Sequence, residues 1–224
     1  MSRLEELIQE LCPDGVEYKM LRDILKIKNG KDYKKLGKGS YPVYGSGGIM
    51  TYVDSYVYDK PTVLIPRKGS IEHLYYVTEP FWNVDTIFYT EINENIVIPR
   101  FVYHCLLKAH LEHLNTAGGV PSLTQKVLNK VTIPVPPLEV QREIVHILDS
   151  FTLLTAELTA RKKQYEYYRN QLLTFDKPKA IWKTLGDIGK ISMCKRIMKN
   201  QTTRDGDVVL CQDFGQIKLR FFVS

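Results

Sequence analysis

The residues best suited to chemistry in this chain are cationic, and they come in blocks. Lys26, Lys28, Lys31, Lys34, Lys35 and Lys38 share a short stretch opposed only by Asp32. Ammonium groups at that density attract polyanions, nucleic-acid phosphates above all. A loop rich in glycine and tyrosine follows, Tyr41-Pro-Val-Tyr-Gly-Ser-Gly-Gly48, and eight of the 14 tyrosines lie between Tyr41 and Tyr89. A second basic loop, Arg67-Lys68-Gly69-Ser70, comes after an apolar run. Lysine and arginine hold phosphates, glycine permits close backbone approach, and arginine, tyrosine or serine can meet base edges. The candidate DNA contacts are therefore Lys31, Lys34, Lys35, Lys38, Tyr44, Ser46, Gly47, Arg67, Lys68 and Ser70. The plainer alternative is a solvated lysine face with turn glycines.

Catalytic patterns are missing. There is no GxxxxGK[ST] phosphate loop, the glycines do not fit GxGxxG, and no GxSxG elbow occurs. Val135-Pro136-Pro137-Leu138 lacks the polar residue with which amino-methyltransferases hold the target amine. His104, Cys105, His110 and His113 form the one metal-like group, but His104 falls off the helix face that His110 and His113 would share. No metal site is assigned. The chain reads as a binding protein, with a scaffold that does not read DNA as the alternative and a hydrolase as a weaker one.

Composition agrees with a basic globular protein. Lys plus Arg number 31 against 25 Asp plus Glu, a net charge of +6 and a pI of about 9.0. Cys12, Cys105, Cys194 and Cys211 form no CxxC pair. With no signal peptide or apolar run of membrane-spanning length, they read as reduced thiols of a cytoplasmic protein.

The elements that must position the basic loops are α+β in class. Residues 2–11 make a short amphipathic helix, stopped at Cys12-Pro-Asp-Gly15. Short β-like runs follow, including Thr62–Ile65, Thr86–Tyr89, Ile96–Ile98 and Val131–Ile133. Pro99 opens a helix expected to reach about Leu114, and Ser122 with Gln125 suggests a capping box for another. The expected domains are an N-terminal helical segment at 1–15, a recognition globule at 16–135, a long helix at 136–177 and the incomplete start of a second globule at 178–224.

The long helix has its own signature. After Pro137 no glycine or proline occurs until Pro178. Ile144, Leu148, Phe151, Thr155, Leu158, Lys162, Tyr165, Arg169 and Leu172 recur at alternating spacings of four and three, the seam of a coiled coil. Packing on its own domain is the alternative to pairing with a partner helix. Beyond it the chain repeats itself. Tyr18–Ile27 aligns without gaps on Trp182–Ile191, with Lys19/Lys183, Leu21/Leu185, Asp23/Asp187, Ile24/Ile188, Lys26/Lys190 and Ile27/Ile191 identical. Lys183, Lys190, Lys195, Arg196, Lys199 and Arg204, opposed only by Asp187, make a second basic start.

Several of these segments together resemble one family. Tyr41–Gly48, Pro61–Gly69 (PTVLIPRKG), Ile133–Phe151 (IPVPPLEVQREIVHILDSF), Thr155-Ala-Glu-Leu158 and Arg169–Leu173 are similar to signatures of the DNA-specificity (S) subunits of type I restriction-modification systems. The resemblance implies a mixed α/β target-recognition domain reading one half of a split DNA site, followed by a coiled-coil spacer helix. It also implies no catalysis in this chain: S-adenosylmethionine, ATP and Mg belong to partner methyltransferase (M) and restriction (R) subunits, which the helix helps to dock. Such subunits carry two recognition domains and two spacer helices. With one of each, this chain is expected to be a half-length or truncated form, homodimeric through Ile144, Leu148, Phe151, Thr155, Leu158, Tyr165 and Leu172. Pairing with another S subunit is the alternative.

Overall fold

The computed structural model describes residues 2–115, 121–175 and 183–190, and the backbones of three strands within 202–223. These fall into two compact units, Met1–Lys163 and Gln164–Ser224.

The first unit opens with helix α1 (Arg3–Leu11), capped reciprocally by Ser2 and Glu5. Strand β1 (Tyr18–Met20), the single-turn helix α2 (Leu21–Ile24) and strand β2 (Leu25–Asn29) follow. The strands β3 (Tyr41–Gly45) and β4 (Gly48–Val53) form a hairpin, and β5 (Thr62–Pro66), β6 (Tyr75–Val77), β7 (Trp82–Asn83) and β8 (Ile87–Ile92) come next. Helix α3 (Pro99–Lys108), a 3-10 turn at Leu111–Leu114, helix α4 (Gln125–Leu128) and strand β9 (Thr132–Pro134) complete the domain. Helix α5 (Leu138–Leu172) then runs for 35 residues, about 52 Å at 1.5 Å per residue.

An antiparallel sheet in the order β2-β8-β5-β6 forms the centre. Its strand β5 is buried throughout because both faces are covered. Val63 and Ile65 face the main core with Leu21, Ile24, Val102, Leu106 and Ile133. Leu64 faces the opposite way, onto Phe81, Ile87 and Tyr89. Backbone pairing of β5 with β8 covers only Ile65↔Phe88 and Pro66↔Ile87. Beyond it the threonines take over: Thr62 Oγ1 donates to Thr90 O at 2.7 Å, and Thr90 Oγ1 donates to Val63 O and accepts from Val63 N, each at 3.0 Å. A second sheet, β4-β3-β7, carries the hairpin, and β1 pairs with β9 to bring both ends of the domain together.

Four local expectations fail for identifiable reasons. Tyr41–Gly48, expected as a loop, is strand β3 and the turn into β4, because β3 pairs with β4 on one side and β7 on the other. Helix α3 stops at Lys108 because His110 turns left-handed at φ 49°. That break brings Leu111 into the core beside Leu106; a continuous helix would carry residues five apart about 140° around the axis. Ile96–Ile98 is not a strand. Ile96 N and Val97 N turn back to Asn93 O, and on α5 Gln141 accepts from Ile98 N and donates to Ile96 O. The cap of α4 is Thr124, which accepts from Val127 N, whereas Ser122 donates its N–H to Asn115 and Gln125 reaches Ile27 O.

In the second unit, α6 (Leu185–Ile188) falls at the positions that align with α2 in the repeat. Leu21 and Ile24 are buried, but Leu185 and Ile188 are 68% and 67% exposed. Strands β10 (Thr202–Thr203), β11 (Val208–Phe214) and β12 (Ile217–Val223) form an antiparallel sheet, order β10-β12-β11. Lys195, Arg196, Lys199 and Arg204 lie outside the described residues.

Candidate nucleic-acid interface

The two loops picked out by their residue types meet. The β3–β4 turn holds Ser46 and Gly47 at its tip, and Gly48 adopts φ 109°, which an L side chain rarely tolerates. Tyr75 donates its hydroxyl to Ser46 O at 3.1 Å, and Ser46 N donates to Thr86 Oγ1. On the other side, Arg67 N donates to Thr86 O and Gly69 N to Pro121 O. A Cβ on Gly69 would come within 3.6 Å of Ser46 Oγ, so the hairpin tip and the Arg67–Ser70 loop lie side by side.

The lysine segment reaches the same place. Lys31 N donates to Asn83 O, Trp82 Nε1 donates to Lys31 O, and Gly30 has no room for a Cβ against the Asn83 and Val84 carbonyls. The segment is thereby pressed onto β7, and Asp32 caps the next turn by accepting from Lys34 N. Asp32, Tyr33, Lys34, Gly45, Ser46, Gly47, Met50, Asp85 and Thr86 line one open cleft of about 820 Å³. Lys31, Lys34, Lys35, Lys38, Gly47 and Lys68 are exposed, and Ser46, Arg67 and Ser70 are half-buried.

Not every candidate is free. The Arg67 guanidinium stacks 5.6 Å from the Phe88 ring centroid, which pre-orders it. Tyr44 packs on Tyr75 and Phe81, and burial pushes its phenol above the ordinary value. Lys28 pairs with Glu91 at 3.4 Å, and Lys26 lines a different cleft with Glu91 and Glu94. The block from Lys26 to Lys38 is therefore divided.

The histidines also separate. His104 hydrogen-bonds Asp149 on α5 at 3.1 Å, while His110, Glu112 and His113 offer ligand atoms within 4.8 Å of one another. Burial pushes the Cys105 thiol up to about 11, which keeps it protonated and a poor metal ligand.

The type I restriction modification DNA specificity domain model matches residues 13–165, the α+β domain and most of the long helix. This chain belongs to the type I restriction-modification DNA specificity family. A Haemophilus influenzae protein named as a type I restriction enzyme specificity subunit is 36% identical over 225 aligned positions, covering 92% of this chain and 57% of that protein. The EcoR124I/EcoR124II specificity subunit of Escherichia coli is 43% identical over 110 residues, 45% of this chain and 27% of that one. The crystal structure of the S subunit from M. genitalium shares the fold at TM-score 0.67 and 16% identity, covering 93% of this chain and 63% of that one. The chain thus spans a little over half the length of the Haemophilus influenzae relative and 63% of the M. genitalium structure.

The seam of the specificity chain's long helix is uncovered among the described residues. Ile144 is half-buried at the helix root. Beyond it Leu148 is 38% exposed, Phe151 63%, Leu158 56%, Tyr165 66% and Leu172 72%. Thr155 is exposed as well, its hydroxyl donating back to Phe151 O. Residue-type reasoning missed Asp32, Asp85 and Thr86 in the cleft, since an isolated carboxylate or threonine carries no pattern. It also missed Gln141 and Asp149, whose partners at Ile96, Ile98 and Arg100 lie more than forty positions away in sequence.

Proposed function

We propose that this chain reads one half of a split DNA site through the face where Ser46–Gly47, Arg67–Ser70 and Lys31–Lys38 converge. The meeting of the hairpin tip with the Arg67 loop carries the reading, because it sets phosphate-binding and base-edge groups side by side. Lys34, Lys35, Lys38 and Lys68 would take phosphates. Arg67, Ser46 and Ser70 would address bases, with Tyr44 beneath the hairpin as its support.

The chain would act without catalysis of its own, in the cytoplasm, with M and R subunits supplying S-adenosylmethionine, ATP and Mg chemistry. The bare seam on α5 supports a homodimer through the spacer helix. Each Leu or Phe covered there would contribute about 1.5–3 kcal/mol, enough for a handful of contacts to hold two chains. An antiparallel pair restores two reading domains around a two-fold axis, the layout of a full-length subunit.

Duplex binding as a function of salt tests the reading. Removing Lys34 and Lys35 should weaken all sequences alike and lower the slope of log K against log salt by about one to two units. An unchanged slope would place the phosphate-binding surface elsewhere.

A further inference from the structure

The long helix is fixed to the reading domain by polar contacts that its seam does not require. Gln141, in the first turn of α5, is completely buried. Its amide is fully used: Oε1 accepts from Ile98 N at 2.9 Å, and Nε2 donates to Ile96 O at 3.0 Å and Pro136 O at 2.8 Å. Ile98 is the N-cap of α3 and lacks a side-chain cap, so Gln141 joins the start of one helix to the start of the other. Eight residues on, about 12 Å along the axis, Asp149 makes a second attachment. Arg100 Nη2 lies 2.8 Å from Asp149 Oδ1, Arg100 Nε donates to it at 2.9 Å, and His104 Nε2 lies at 3.1 Å. The guanidinium is itself held over the rings of Tyr76 and Tyr103, at 4.9 and 5.1 Å.

Two attachments at different heights on one helix define a direction, where one would leave a pivot. We propose that Gln141 and Asp149 lock the direction in which α5 leaves the reading domain, and that this lock sets how strictly the protein holds to one gap between half-sites. Asp149 is a positioning residue, acting on DNA only through the helix. The proposal rests on the split-site reading above, with the helix as spacer. Helix length would then set the mean gap, and the lock would set its tolerance.

The lock predicts a separation that ordinary destabilisation does not produce. DNA sites are selected from a random library by the full chain with its methyltransferase partner, comparing wild type, Asp149→Ala and the isosteric Asp149→Asn. Loss of the charge-assisted pair should reduce the preference for one gap length over its neighbours about fivefold, with half-site bases unchanged. Asp149→Glu, which can re-form the pair with Arg100, should recover most of the sharpness. If Asp149→Ala does not fold, Asp149→Asn carries the test. Wild-type sharpness in every folded variant overturns the lock, as does broadening that Asp149→Glu fails to reverse. Failure of the wild type to select any half-site would instead overturn the DNA reading itself.

Discussion

At the scale of single residues, the proposed reading face would separate groups that hold from groups that discriminate. Lys34, Lys35 and Lys68 are exposed ammonium groups on flexible stems, suited to phosphates as point charges. Arg67 differs: stacked on Phe88 and fixed through its backbone to Thr86 and Leu123, it presents a planar fork in a set place. Such a fork can pair bidentately with guanine. Arg67→Ala should relax the preference at one position of the half-site and cost about 1–3 kcal/mol on the preferred sequence, read out by sequencing selected sites. The same preference at the same affinity would assign base reading to other residues. Asp149 illustrates electrostatics at this scale. Partial burial alone pushes its carboxyl up, but hydrogen bonds and charge from Arg100 and His104 more than offset that and hold it below the usual carboxylate range. The Arg67 loop was legible because Arg-Lys-Gly-Ser after a buried strand is a local pattern. Gln141 was not, because its meaning lies in the backbone groups of Ile96 and Ile98, which only the fold brings near.

At the scale of elements, periodicity was the most informative signal. The four-three seam from Ile144 to Leu172 anticipated a long helix, which ends at Leu172, five residues short of the expected boundary at 177; the apolar runs Thr62–Ile65 and Thr86–Tyr89 anticipated β5 and β8, whereas β3 lies in a segment read as a loop. What failed was where other contacts outbid local pattern: Ile96–Ile98 divided its hydrogen bonds between Asn93 and Gln141, and the helix from Pro99 broke at His110 to bury Leu111. The ten-residue repeat survives as two single-turn helices at matching positions, one buried and one exposed. Identity of pattern thus specified the local turn, while burial depended on having the rest of the domain to pack against. If α5 is a ruler, duplicating Thr155-Ala-Glu-Leu158 lengthens it by four residues, about 6 Å. At about 3.4 Å per base pair, the accepted gap should widen by about two base pairs with half-sites unchanged. Site selection with the insertion variant checks this; an unaltered gap at full binding would show that the helix is not the spacer, and altered half-sites would show that it takes part in reading bases.

At the scale of the whole molecule, the described residues hold one α+β domain and one long helix, and the chain covers 57% of the Haemophilus influenzae relative. Charge and exposed surface point to two kinds of partner. The net charge of +6 favours a polyanion, and the bare apolar seam favours another helix. The proposed two-fold pair would satisfy both, covering the seam and directing two identical reading faces at one duplex. Identical faces related by a two-fold axis demand identical half-sites in opposite orientation. The most direct measurement is therefore to sequence the DNA selected by this chain with its methyltransferase partner. A split palindrome, two inverted copies of one half-site separated by a fixed gap of unspecified bases, is the expected result. Selection of two different half-sites, of a single continuous site, or of no sequence at all would contradict it.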